Sequence, residues 1–422
     1  MQFSTFSMNA LRAEPRQQML GKYKVEFQAY SLPENQHKTP VVFLGGAFQS
    51  FVSFKSEVEL VLTTHPVILA DFPSQGSNDQ LAPELDMADY ADLIAQFLDG
   101  QQIEKVMMLG ISYGSAMSML FATAYPERIE RLLLSGITCF RRESLITLLE
   151  DSLALLDAGN MDAFATTAVC NLLNHSRLQE TEVSATYRRL LYRQISRLND
   201  NERARYAQNT QRLLRFEGFT AYPKCPTLVA TGEYDNFTLP HENAAVAQQC
   251  PNATFAVIEN ADHLAQFERK EAASALFHGY MCGNDIRHID GTRVYAPADF
   301  QTDDRRLQGR QRPLAQPYYL YDENSGERHI VRIHNINFAG CELEQTSTNL
   351  AVGEQNANLY LELPEAGHRY HIRVLTRHKK QLRCLIIQRD LKAADDLLTY
   401  LNEHFLMVRE QTSKHDVQSL PA

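Results

Sequence analysis

The chain has 422 residues, 44% hydrophobic and 22% charged, with a net charge of −10. That length suits two or three domains, the composition excludes wholesale disorder, and the acidic balance argues against a general nucleic-acid binder. Seven widely spaced cysteines without a C-x-x-C pair argue against a zinc ribbon or a disulfide framework and favour a reducing cytoplasm, and there is neither a signal-peptide pattern nor an 18-residue apolar run.

From residue 23 to 280 short apolar runs alternate with helical stretches. YKVEFQAY (23–30) alternates as a strand does. PVVFLGG (40–46), PVILADF (66–72), KVMMLGIS (105–112), RLLLSGI (131–137), PTLVATG (226–232) and TFAVIEN (254–260) are apolar runs that end in turn residues. Amphipathic segments at 85–99, 114–125 and 264–280 separate several of them. This rhythm predicts parallel βαβ units, an α/β domain over residues 1–284. Residues 141–218 carry helical periodicity without a convincing strand, which predicts a helical insertion lying over the site as a cap. Within it Leu145, Ile146, Leu148, Leu149, Leu153, Leu155 and Leu156 are candidates for a pocket lining. Apolar density falls near 283–304, so 285–302 is expected to be a linker. Beyond it, runs at 315–322, 328–336, 358–364, 368–377 and 381–389, then a helix over 390–405, predict a small all-β module over 303–408 with a terminal helix and a tail over 409–422.

GISYG (110–114) stands between a buried strand and a helix, so Ser112 is expected on a sharp strand-to-helix turn, with flanking glycines admitting close backbone approach. A serine hydroxyl needs a base, and the base an orienting acid. Asp235 follows the strand 226–232 by three residues, and His263 follows the last core strand. His65, His241, Glu233 and Asp262 are weaker competitors by position. The backbone amides of Tyr113, after the serine, and Ala47, after Gly45-Gly46, are the expected oxyanion donors.

GISYGS, TGEYDNFTLP and NADHL, in that order, resemble the α/β-hydrolase family over residues 20–282, with Gly45-Gly46 where the family often has His-Gly. The resemblance implies a serine enzyme acting on an ester or thioester, as hydrolase or acyltransferase, with Ser112, Asp235 and His263 as triad. FLGGAFQSFVSF and ILADFPSQGSND further resemble bacterial acyltransferases that join 3-hydroxyacyl groups into a lipid precursor, which implies acyl thioester substrates. Arg189, Arg193 and Arg197 recur every four residues in the cap. Such a stripe is ordinarily a solvated face; the sharper alternative is a dock for an acidic acyl carrier protein or for coenzyme A phosphates.

In the second module, Arg306-x-x-x-Arg310 precedes Asn335-x-Asn337-x-x-Gly340. Guanidinium groups grip phosphates and stack on purines. The two motifs resemble the PilZ family of cyclic di-GMP receptors, with Asn337 where that family usually has serine. The resemblance implies that cyclic di-GMP binds Arg306, Arg310, Asn335, Asn337 and Gly340 and regulates the enzyme. The alternative reading is a signalling adaptor whose hydrolase domain is a scaffold. No metal-ligand motif or dinucleotide fingerprint is present, so catalysis is expected to need no cofactor.

Overall fold

The structure, a computed structural model, describes residues 1–7, 9–301, 309–313, 317–346, 358–364 and 366–407, with only the backbone of 406 and 407. The chain divides into two compact units, Met1–Leu307 and Gln308–Ala422.

The first unit is built on a nine-stranded sheet. Its strands are β1 (Arg16–Leu20), β2 (Tyr23–Tyr30), β3 (Val41–Leu44), β4 (Val67–Asp71), β5 (Val106–Ile111), β6 (Ile129–Ser135), β7 (Thr227–Gly232), β8 (Ala253–Ile258) and β9 (Thr292–Tyr295), in the spatial order β1-β2-β4-β3-β5-β6-β7-β8-β9. The centre from β4 to β8 is parallel, and both edges are antiparallel. Every residue of β3, β4 and β5 is buried, because helices cover both faces. Alternate residues serve opposite faces. Val42, Ile68 and Met108 pack with residues of α2 (Asp89–Gly100) and α3 (Tyr113–Ala124), whereas Phe43, Leu69 and Leu109 pack with those of α1 (Lys55–Val61) and α10 (Lys270–Met281).

Four helices, α4 (Glu143–Asp157), α5 (Met161–Leu172), α6 (Ala185–Ser196) and α7 (Asp200–Arg215), are inserted between β6 and β7. Helices α8 (Pro240–Gln249) and α9 (Ala265–Glu268) follow β7 and β8. The cap is tied down by polar groups as well as apolar ones. Arg212 of α7 is fully buried. It donates to the carbonyls of Leu85, at 2.7 Å, and Ala82, and to Asn209 Oδ1 at 2.8 Å. It also stands over the Tyr90 ring, 5.5 Å from its centroid. Arg212 is therefore set apart from Arg189, Arg193 and Arg197 of the same cap, which are exposed.

Residues 292–295, within the expected linker, form β9, and Phe300 packs edge-on against Phe255 with centroids 4.8 Å apart. A sparse apolar pattern hid this strand, because an edge strand needs few apolar side chains when one partner supplies its ladder.

The second unit contains β10 (Gln311–Pro313), β11 (Tyr318–Asp322), β12 (Arg328–Ile336), β13 (Gly340–Gln345), β14 (Leu359–Glu362), β15 (Arg369–His378), β16 (Gln381–Ile387), α11 (Leu391–His404) and β17 (Phe405–Met407). The order β11-β14-β15-β16-β13-β12 closes by a β12–β11 pairing into a six-stranded antiparallel barrel. Leu320, Val331, Leu343, Leu361, Ile372 and Leu382 are fully buried within this unit. Asp390 caps α11 by accepting from the Ala393 amide at 2.7 Å. No helix among the described residues is long and apolar enough to cross a membrane.

The junction between β3, β5 and α3 generates a stability prediction. A methyl group at Gly114 would stand 2.2 Å from the Leu44 carbonyl oxygen, whereas one at Gly21 (φ +59°) would meet nothing within 4 Å. Gly21→Ala should cost about 1 kcal/mol of backbone strain, and Gly114→Ala about 3 kcal/mol or more through overpacking. Denaturant unfolding of both variants checks this; equal losses contradict it.

Candidate active site

Ser112 occupies the single position between the end of β5 and the start of α3, with φ +52°, in the left-handed region. The turn is tight on both flanks. A methyl at Gly110 would lie 2.5 Å from the Gly114 carbonyl oxygen, and Gly114 itself is pressed against Leu44. The Ser112 amide donates to the Ser135 carbonyl at 2.8 Å, which holds the turn against β6.

Asp235 lies on the turn after β7 and is 1% exposed. Its carboxylate accepts from the amides of Phe237 at 3.0 Å and Thr238 at 2.8 Å and from the Thr238 hydroxyl at 2.7 Å. That anchoring leaves Oδ2 2.9 Å from His263 Nδ1, and His263 Nε2 is 3.0 Å from Ser112 Oγ. The structure thus joins the three residues in one hydrogen-bonded chain. Burial pulls the His263 pKa down, but the charge and hydrogen bond of Asp235, and then the charge of Asp262, outweigh it, and the net shift is upward. Phe237 packs its ring edge-on to the imidazole, centroids 5.0 Å apart.

Ala47 and Tyr113 line the same cavity as Ser112 and His263. The loop after β3 rests on the serine: a methyl at Gly46 would be 3.2 Å from Ser112 Cβ. Gln49 braces that loop by accepting from the Gly46 amide at 2.7 Å. The cavity holds about 300 Å³ and is lined mostly by apolar side chains, among them Leu148, Phe164, Leu172, Leu190, Tyr206 and Leu213 from the cap. Of the seven cap residues expected at a pocket, Leu148 and Leu149 reach it. The others face elsewhere because one helix presents only one stripe to the cavity.

The family model of the alpha/beta hydrolase fold matches residues 39–270. The chain belongs to the alpha/beta hydrolase fold family. It is an enzyme of this class, whose relatives include both transacylases and hydrolases. It is similar to (R)-3-hydroxydecanoyl-ACP:CoA transacylase of Pseudomonas aeruginosa, 24% identical over 262 residues that span 60% of this chain and 83% of that one. It is also similar to 2-hydroxy-6-oxononadienedioate/2-hydroxy-6-oxononatrienedioate hydrolase 2 of Pseudomonas putida, 23% identical over 240 residues, 55% of this chain and 82% of that one. Among solved structures, an alpha/beta hydrolase enzyme from a Medee basin deep-sea metagenome library superposes with a TM-score of 0.56 at 19% identity, covering 64% of this chain and 98% of its own. The enol-lactonase of Burkholderia xenovorans LB400 does so with 0.54 at 14% identity, covering 63% and 100%. These two structures share the fold.

Three of the competing residues, Glu233, His65 and Asp262, have other partners. Glu233 pairs with Arg293 at 2.5 Å, and His65 contacts Thr64 at 3.1 Å. Asp262 instead receives the amide of Asn174, the residue two beyond α5, at 2.7 Å, so it ties the cap to the histidine loop. Burial and then its neighbour Glu268 push its pKa well up. Thr238 and Gly136, which flank Asp235 and His263, were not singled out from sequence. A methyl at Gly136 would lie 2.9 Å from His263 Cε1.

In the barrel, Arg310 Nη1 and Asn335 Nδ2 both approach Glu342 Oε2, at 3.5 Å and 2.7 Å. Asn337 Oδ1 accepts from the amides of Ala339 at 3.1 Å and Gly340 at 2.9 Å, closing its own turn. Gly340 admits the Cys384 carbonyl, which would stand 2.7 Å from an added methyl. Arg306 lies outside the described residues. Arg310 and Asn335 thus share one carboxylate oxygen of Glu342.

A general base must be neutral to take the serine proton. With the His263 pKa raised, kcat/KM on a small ester should rise with pH through a midpoint above the ordinary histidine value of 6.5. Asp235→Asn should cut the rate by about 10⁴-fold and move that midpoint toward acid. A pH–rate profile of both proteins checks this, and a wild-type midpoint below the ordinary value contradicts it.

Proposed function

We propose that the hydrolase domain moves an acyl group from a thioester, in particular a 3-hydroxyacyl thioester, through an acyl-enzyme on Ser112. The observation that carries this reading is the unbroken Ser112–His263–Asp235 chain on the wall of an apolar cavity. The similarity to a transacylase named for a 3-hydroxydecanoyl group supports the substrate class. His263 takes the Ser112 proton as Oγ attacks the carbonyl carbon. The oxyanion is held by the amides of Ala47 and Tyr113. Collapse breaks the C–S bond, and the imidazolium returns its proton to the departing thiolate. A hydroxyl then attacks the acyl carbon, from water in hydrolysis or from a second hydroxyacyl molecule in transfer; His263 takes its proton and gives it to Ser112 Oγ as the acyl–Oγ bond breaks, which releases the product and restores the serine. Asp235 holds the imidazole in the tautomer that both steps use.

We infer further that the C-terminal barrel is a PilZ-type receptor whose cyclic di-GMP ligand regulates the enzyme, held by Arg306, Arg310, Asn335, Asn337 and the Gly340 turn. The convergence of Arg310 and Asn335 on one carboxylate supports this. On this reading the ligand's phosphate displaces Glu342. Regulation then requires that the ligand bind two states of the enzyme with different affinity.

Two tests follow from these readings. A fluorophosphonate probe should label the wild type on Ser112 and leave Ser112→Ala unlabelled; an unlabelled wild type sinks the serine reading. In calorimetric titration with cyclic di-GMP, Arg310→Ala should weaken binding by about tenfold or more, and Glu342→Gln should tighten it by freeing Arg310. Absence of wild-type binding removes the receptor reading, and binding that leaves the steady-state rate unchanged removes the regulatory one.

A further inference from the structure

Helix α6 turns one side to the cavity and another to solvent. Tyr187, Leu190, Leu191 and Gln194 line the cavity, at the spacing of one helix face. Leu190 is 57% exposed and Phe267, which also lines the cavity, 40% exposed, so these two side chains mark its mouth. Arg193 and Arg197 follow Leu190 by three and seven residues and therefore stand beside it, and Arg189 precedes it. All three arginines are exposed. Elsewhere in and around the cap, arginines have acidic partners, as in Arg177–Glu180, Arg203–Asp200, Arg215–Asp86 and Arg269–Glu182. Arg189, Arg193 and Arg197 have no ion pair among the described residues; Arg189 reaches only the Thr186 hydroxyl, at 3.4 Å. The helix ATYRRLLYRQIS contains no acid to pair with them. A chain of net charge −10 thus gathers three uncompensated guanidinium groups beside the apolar mouth of its cavity.

We propose that this face of α6 is the docking surface for an acidic carrier protein, which presents its acyl thioester on a flexible arm through the mouth at Leu190 and Phe267. The inference rests on the thioester reading of Ser112. From Arg189 to Arg197 the charges span about 12 Å along the helix, a reach that fits a protein face better than one phosphate group. Apolar side chains flanked on one helix by cations suit a partner whose surface is acidic around a buried or tethered acyl chain, and the charges steer its approach.

The test uses the full chain and one acyl group offered in three forms: on an acyl carrier protein, on coenzyme A, and as a small aryl ester. In R193E/R197E the ratio of kcat/KM for the carrier-bound form to that for the small ester should fall about tenfold or more, mainly through KM. The salt dependence of the carrier reaction should flatten with it, and R193K/R197K should keep the wild-type ratio. An unchanged ratio overturns the proposal. So does an equal loss with coenzyme A, which would place recognition in the thioester's phosphates. Binding of the acylated carrier to Ser112→Ala, with and without the charge reversal, reads docking without turnover. A loss of binding there supports the docking face even where no substrate is consumed, whereas failure of the wild type on all three forms counts against the serine reading alone.

Discussion

The close approach of three backbone segments at Ser112 is the constraint on which the site depends. β5 must end, α3 must begin and the loop after β3 must lie against both, within the space that Gly110, Gly114 and Gly46 leave open. The serine takes the resulting left-handed conformation at φ +52°, a strain of about 1–3 kcal/mol. That geometry lifts Oγ clear of the sheet, sets the Tyr113 amide at the positive end of α3, and brings the Ala47 loop to the same point. The parallel strands on either side then decide the rest. Because β7 and β8 end on the same edge as β5, the turns that follow them carry Asp235 and His263 to Ser112 across large sequence separations.

Over this edge the cap is held by hydrogen bonds to fixed backbone groups as much as by apolar packing. Arg212 satisfies its buried guanidinium with carbonyls of the loop after β4, one amide oxygen and the face of Tyr90. A buried cation without its partners is strongly unfavourable, so α7 and that loop are bound to keep their places together. Asp262 does the corresponding work on the other side, holding the end of α5 to the residue that precedes the histidine. The cap is therefore linked to both the loop after β4 and the loop that carries His263.

Much of this was legible in the sequence because it follows from burial and turn chemistry. The strands 23–30, 66–72, 105–112, 226–232 and 254–260 are continuous apolar or alternating runs; Ser112 ends one of them, and Asp235 and His263 follow two others. What escaped has a common cause. β1, β9 and β13 are short, with few apolar side chains, and are strands because a neighbour completes their ladder. Arg212 reads like the exposed arginines around it, since a single sequence does not show which cation meets carbonyls. Only two of the seven cap residues put forward line the cavity, because helical periodicity shows which residues share a face but not what that face meets. In the barrel, Asn337 and Gly340 have local duties in the turn before β13, duties that a ligand-binding motif and a structural turn share.

The central claim is that Ser112 carries the acyl group. Intact-mass analysis of the full chain, quenched within the first turnover with a 3-hydroxyacyl thioester and followed by peptide mapping, tests it most directly. The expected result is a mass increase equal to the acyl group, located on Ser112 and lost in Ser112→Ala. Turnover of the thioester with no adduct on Ser112, at an unchanged rate in Ser112→Ala, would contradict it.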